Sequence, residues 1–229
     1  MNRPLIEICA GSLASAAAAQ AGGADRIELC AELPLGGITP SRETILAAKE
    51  KIRIPVFVLV RPRGDNFIYS EEELETMLAD IAFCKSAGVD GFVFGVLDEK
   101  NEIDPGPNKL LLEAAAPLPC TFHRAFDLCA DALQSLNLLH QLGFTRLLSS
   151  GQSSSAIEGA ALLGELVKRN LLTVMPGGGV REENIATLLR LTKAKEFHSA
   201  LLDHPAGILR QERVRNFKQL LEAAARDSA

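Results

Sequence analysis

The chain has 229 residues, with 24 Lys and Arg against 29 Asp and Glu, for a formal net charge of -5. That balance argues against nucleic acid as the main partner, because binding a phosphate backbone requires a basic surface. The 47% hydrophobic and 23% charged residues are those of an ordinary globular domain, and no apolar run approaches the ~20 residues of a membrane span.

From the start, β-like apolar runs alternate with helical ones. Leu5-Ile-Glu-Ile-Cys9 reads as a strand, and Ser12 opens an Ala-rich helix from Leu13 to Ala21. Arg26-Ile-Glu-Leu-Cys30 is the second strand, and Thr39-Pro40 supplies a hydroxyl cap and a first-turn proline for the next helix. Pro55 to Val60 is the third strand, and Ser70-Glu-Glu-Glu73 is a capping box for a helix that Gly88 stops. Gly91 to Gly95 follows as a strand, then a charged loop and a helix over Lys109 to Ala116. Pro119-Cys-Thr-Phe is the fifth strand, running into His123-Arg-Ala-Phe-Asp127, with a helix from about Ala130 to Leu142. Arg146 to Ser149 is the sixth strand, and Ser155-x-x-Glu158 is the cap of the helix after it. Leu171 to Met175, Gly177-Gly-Gly179, a helix through Leu191 and a strand Glu196 to Ala200 complete the alternation. Val214, Phe217, Leu220 and Leu221 give the last helix an apolar stripe.

Three gapless copies of one pattern, Gly23-Ala-Asp-Arg-Ile27, Gly88-Val-Asp-Gly-Phe92 and Gly143-Phe-Thr-Arg-Leu147, each combine a helix stop, a bend and a strand start. Two strand–helix units fit between successive copies. Eight alternations predict an α/β fold, a single-domain TIM-type (β/α)8 barrel over residues 1–229.

In such barrels the reactive groups sit at the carboxyl ends of strands. Collected there are Glu7 with Cys9, Glu28 with Cys30, Arg61 and Arg63, His123 with Arg124 and Asp127, Ser149-Ser150-Gly151, Gly177-Gly178-Gly179, and His198. A buried charge needs a partner, and Arg61, Arg63 or Arg124 are the expected partners of Glu7 and Glu28. Strand periodicity puts Glu7 with Cys9, and Glu28 with Cys30, on one face each. The two thiols are candidate ligands for Cu(I), a soft ion, with His123 or His198 as the third donor. The alternative is that they are small apolar fillers, as Cys84 is on the stripe of Met77 and Ile81. Cys120 and Cys129 carry no signal, and the five cysteines form no Cys-x-x-Cys pair.

Arg61, Arg63 and Arg124, with Ser150 and Gly177-Gly178-Gly179, are candidates for holding a small anion, since glycine lets backbone N–H groups approach it. Glu28, His123 and Asp127 are candidates for proton transfer to such a ligand. No lysine stands at a strand's carboxyl end, which argues against a Schiff-base aldolase, and no dinucleotide or Walker motif occurs.

The chain resembles the CutC family, named for copper homeostasis. The resemblance rests on Arg26-Ile-Glu-Leu-Cys30, Gly36-Gly-Ile-Thr-Pro40, Pro55-Val-Phe-Val-Leu-Val-Arg-Pro-Arg-Gly64 and Gly91-Phe-Val-Phe-Gly-Val96. It continues in Thr121-Phe-His-Arg-Ala-Phe-Asp127, Ser149-Ser-Gly151, Met175-Pro-Gly-Gly-Gly179 and Glu196-Phe-His198. The resemblance implies a TIM-type barrel, a cytoplasmic location, which the absence of a signal-peptide core also suggests, and a homodimer or larger homo-oligomer. It also implies intracellular copper handling, with Cu(I) bound by cysteines, here Cys9 and Cys30. The competing expectation is a barrel enzyme acting on a small anionic or phosphorylated metabolite, and a third is a scaffold filled by internal ion pairs. Family members carry a longer, basic, Ser-rich loop after the eighth strand, whereas this chain reads Ser199-Ala-Leu-Leu-Asp-His-Pro205, so closure of the mouth is expected to differ.

Overall fold

The computed structural model describes residues 3–202 and 207–227. Its strands are β1 (Leu5–Ala10), β2 (Arg26–Leu29), β3 (Val56–Leu59), β4 (Gly91–Phe94), β5 (Cys120–Phe122), β6 (Arg146–Ser149), β7 (Thr173–Pro176) and β8 (Glu196–Ser199). Between and after them run α1 (Leu13–Gly22), α2 (Arg42–Lys51), α3 (Glu71–Ser86), α4 (Pro105–Ala115), α5 (Ala132–Leu142), α6 (Ala160–Arg169), α7 (Ile185–Thr192) and α8 (Gln211–Asp227). The strands pair in parallel in the order β7-β6-β5-β4-β3-β2-β1-β8, and β7 lies against β8 to bring the ring nearly to closure. This is the expected (β/α)8 barrel. Among the described residues no helix is long and apolar enough to cross a membrane.

Period two divides each strand between two environments. Ile6, Ile8 and Ala10 of β1 join Ile27, Leu29, Val56, Val58 and Phe92 in the shell between barrel and helices. The alternate residues Cys9, Phe57, Leu59 and Val93 pack with Cys30 in a second, smaller cluster inside the barrel. Phe57 fits there because β4 opens with Gly91, where an added Cβ would lie 2.5 Å from the ring. Gly23, Gly88 and Gly143 of the repeated pattern all have φ between 77° and 102°, the left-handed turn that ends a helix and returns the chain to a strand.

Local signals place most helix starts. The side chains of Ser12, Ser70 and Asp131 accept first-turn N–H groups of α1, α3 and α5, and Ser70 with Glu73 forms the full capping box. Elsewhere tertiary contacts override them. Ser41, not Thr39, caps α2, because the Thr39 hydroxyl is held by the backbone of Arg61, accepting from N–H at 2.9 Å and donating to C=O at 3.1 Å. Asp104 caps α4, which starts at Pro105, four residues ahead of Lys109. Ser155 and Glu158 shape only a turn, and α6 starts after Gly159, because Ala156 N–H donates to Gly178 C=O at 2.8 Å and draws this segment to the β7 loop. β7 begins at Thr173 rather than Leu171. On α8, Val214, Phe217 and Leu221 are buried, whereas Leu220 stands at the edge of the stripe and is exposed.

Candidate functional site

The barrel interior is strung with alternating charges, and strand register explains the order. Glu7 pairs in register with Arg26 on one side and His198 on the other, and Glu196 lies on the inward face of β8 two residues before His198. Arg146 donates to Glu196 at 3.1 Å, Arg26 donates to Glu196 at 2.5 Å, and the Nε of Arg26 donates to Glu7. Glu7 Oε1 then meets His198 Nδ1 at 2.7 Å, and His198 Nε2 stands 3.6 Å from Glu28 Oε2. The guanidiniums of Arg26 and Arg146 lie 4.9 and 5.2 Å over the Phe57 ring. Each ion along this line thus has a neighbour of opposite sign, the condition under which such burial is tolerated. The partners expected from sequence were wrong: Glu7 and Glu28 pair with none of Arg61, Arg63 and Arg124. The residues that serve instead, Arg26, Arg146 and Glu196, were legible as the inward-facing partners two positions before Glu28, Leu148 and His198.

This arrangement sets protonation. Burial alone would raise Glu7, but the attraction of Arg26 and the hydrogen bond from His198 prevail and hold its carboxyl at about 2. Burial would lower His198, yet the charges of Glu28 and Glu7 prevail and raise it. Glu28 is raised by burial, against the attraction of His198.

At the mouth, Cys9 Sγ is 3.4 Å from Cys30 Sγ, and both thiols are free and buried. The hydrogen bond to Cys30, followed by burial, pushes the Cys9 thiol well above its usual value. Donor atoms of Cys9, Glu28 and His198 lie within 4.8 Å of one another. Glu28, expected as a proton-transfer group, therefore sits among the metal-ligand candidates. Cys30 reaches the group through Cys9, and His123 is not part of it.

All of these face one cavity of about 230 Å³, with Arg61, His123, Arg124, Arg181 and Gly178–Gly179 on other parts of its wall. Arg61 donates to the carbonyls of Leu35 (3.3 Å), Gly37 (3.0 Å) and Asp65 (2.9 Å), and stacks 4.7 Å from Phe67. His123 Nδ1 accepts from Ala125 N–H at 3.3 Å, and its ring packs on Phe67. Burial, then the charge of Arg61, drives its pKa down to about 3, so His123 is a neutral imidazole.

Four candidates lie outside the cavity lining. Arg63 pairs with Glu73 at 2.6 Å and stacks on Tyr69. Asp127 is taken up by the Ser149 hydroxyl (2.6 Å), the Ser150 hydroxyl (2.8 Å) and N–H, Gln152 N–H and Arg124 Nε (2.9 Å). It anchors the loop after β6 instead of offering a free carboxylate. The Ser150 hydroxyl lies within hydrogen-bond reach of Asp127 Oδ2 and Ser153 C=O, to one of which it donates, and Gly177 packs where a Cβ would lie 2.3 Å from Leu148. Arg181, which sequence reasoning missed, enters from the loop after β7 and donates to Ser199 Oγ and to Leu202 C=O. The segment expected to alter closure of the mouth falls partly on residues 203–206, outside the described residues.

Comparison with known proteins agrees with the barrel fold. Residues 4–202 match the model of the CutC family. A human protein named copper homeostasis protein cutC homolog is 47% identical over 86% of this chain and 73% of its own length. The family protein CutC of Parabacteroides distasonis is 49% identical over 86% of this chain and 82% of its own. A crystal structure of CutC from Streptococcus agalactiae superposes with a TM-score of 0.82 at 36% identity, covering 86% of this chain and 98% of that one. The chain belongs to the CutC family.

Proposed function

We propose that this protein acts in copper homeostasis in the cytoplasm, binding Cu(I) on the Cys9 side of the barrel mouth. The observation that carries this reading is the orientation of His198. Glu7 holds its Nδ1–H at 2.7 Å, which leaves Nε2, turned toward Glu28 and Cys9, as the nitrogen that binds a metal in exchange for its proton. A carboxylate behind a histidine is the usual support of a metal-bound imidazole, fixing its tautomer and raising its basicity. The donor set fits a soft ion: two thiols and an imidazole. Metal–sulfur bonds of ~2.3 Å reach both sulfurs when these lie within about 4.6 Å, and Cys9 and Cys30 are 3.4 Å apart. The names of the human and bacterial relatives support the same role.

Anaerobic Cu(I) titration against a competing chelator tests the site. Cys9→Ser combined with Cys30→Ser is expected to abolish high-affinity binding. Unchanged affinity in that double variant removes the two sulfurs from the site and ends the proposal.

A further inference from the structure

The arginine side of the mouth has a chemistry that the thiol side does not use. Three guanidiniums, Arg61, Arg124 and Arg181, share the cavity with the single carboxylate Glu28. Arg124 is neutralised by Asp127 at 2.9 Å, whereas among the described residues neither Arg61 nor Arg181 pairs with a carboxylate. Their partners are backbone carbonyls and the Ser199 hydroxyl, which satisfy N–H groups but carry no charge, so among the described residues no carboxylate offsets either guanidinium. Arg61 is 5% exposed, so its charge is held away from solvent, and its Nε has no partner. A buried cation without a counter-ion is costly unless a ligand supplies one.

A second observation points the same way. His123 is 6% exposed and lines the same cavity. Because Nδ1 accepts from Ala125 N–H, the neutral ring carries its proton on Nε2, and that buried N–H has no partner. Buried donors without acceptors are rare in folded proteins, and one beside a cavity is completed by an acceptor held in that cavity, a water or a ligand. Gly178 and Gly179, with φ of 91° and 72°, complete the wall; Arg124 lies across Gly178, where an added Cβ would come within 3.1 Å of the guanidinium carbon.

We propose that this side of the mouth is a binding site for a small organic anion, held through a carboxylate or phosphate group by Arg61, Arg124, Arg181 and the Nε2–H of His123. The residues that hold the anion are not those proposed to hold copper, although both sets line the same cavity, and the two readings are tested by different variants.

The test is calorimetric titration of the full chain with inorganic phosphate and, separately, with acetate, alongside nuclear magnetic resonance of isotope-labelled histidine. One site is expected, and saturation is expected to move the Nε2–H resonance of His123. Arg181→Met is expected to weaken binding about tenfold or more, as for loss of a charge-assisted hydrogen bond, with part of it kept in Arg181→Lys. Binding of phosphate alone assigns a phosphorylated ligand, binding of acetate alone a carboxylate, and binding of both the shared group. Cys9→Ser with Cys30→Ser is expected to bind the anion as wild type does, which separates this test from that of the copper site. Failure of both anions to bind, or binding that leaves the His123 resonance in place, overturns the proposal. So does wild-type affinity in a folded Arg181→Met variant; should that variant not fold, the His123 resonance of the wild-type protein decides.

Discussion

Glu7 and His198 meet at 2.7 Å across β1 and β8, although 191 residues separate them in the chain. The contact joins two roles. It closes the interior line of alternating charges, and it turns the free nitrogen of His198 toward the thiols.

Removing the carboxylate therefore has two consequences. Glu7→Gln leaves Arg26 with Glu196 alone and is expected to destabilise the fold by ~3–5 kcal/mol, the usual result of breaking a buried pair from one side. Urea unfolding measures this. The same variant, where folded, is expected to lose about 10–100-fold in Cu(I) affinity, as for loss of a histidine's supporting carboxylate.

The raised pKa of His198 sets a pH dependence. A group that prefers its cationic form when folded stabilises fully below its ordinary value of 6.5 and loses that contribution as pH rises through the folded value. Glu28, also raised, acts in the same sense at lower pH, because the folded state again holds the proton more tightly. Stability against urea is expected to fall from pH 6.5 upward, and His198→Phe to flatten that decline. A wild-type protein that gains stability over this range contradicts the assignment.

His123 is expected to behave in the opposite way. Burial and then Arg61 depress it to about 3, so its imidazole stays neutral across the range in which free histidine titrates. Its ring resonances are expected to show no titration between pH 5 and 8, the interval in which an unperturbed histidine changes charge. A midpoint inside that interval would show that its surroundings are far more polar than the packing on Phe67 indicates.

Arg61 and Arg63, two positions apart, are expected to respond differently to loss of charge. Arg61→Met leaves the carbonyls of Leu35, Gly37 and Asp65 without their donor and is expected to cost roughly 2–4 kcal/mol, given ~1–3 kcal/mol for each buried group left unsatisfied and partial rescue by water. Arg63→Met gives up a half-exposed ion pair with Glu73 and bonds to the Gly64 and Ile68 carbonyls in a part-exposed loop, where water takes its place, and is expected to cost ~0–1 kcal/mol. Thermal or urea denaturation of the two variants side by side makes the comparison.

Gly91 marks the packing limit of the interior. Gly91→Ala places a methyl group 2.5 Å from the Phe57 ring, over which Arg26 and Arg146 stack, and is expected to destabilise by ~1–3 kcal/mol through overpacking. Combining it with Phe57→Leu is expected to recover part of that loss, measured as a double-mutant cycle.

Much of the molecule was legible without coordinates. Helix caps at Ser12 and Ser70, glycine stops at Gly23, Gly88 and Gly143, and the inward faces carrying Glu7 with Cys9 and Glu28 with Cys30 all follow from contacts within a few residues. Where a cap was misread, as at Thr39 or Ser155, a distant backbone group had claimed Thr39 itself or Ala156 beside Ser155. Position at a strand end likewise placed Arg61 and Arg63 together, yet Arg61 turns into the cavity and Arg63 outward to Glu73.

Sequence by itself determined the alternation of strands and helices, the barrel they build, and the side of each strand on which its polar residues fall. Those depend on the period of the backbone and on short-range hydrogen bonds. Tertiary structure alone decided who meets whom. Closure of the ring puts β1 between β2 and β8, and the register of those ladders gives Glu7 to Arg26 and His198 and leaves Glu28 beside Cys9. Pairing energies inside a barrel depend on which strands become neighbours, and no local pattern in the chain carries that information.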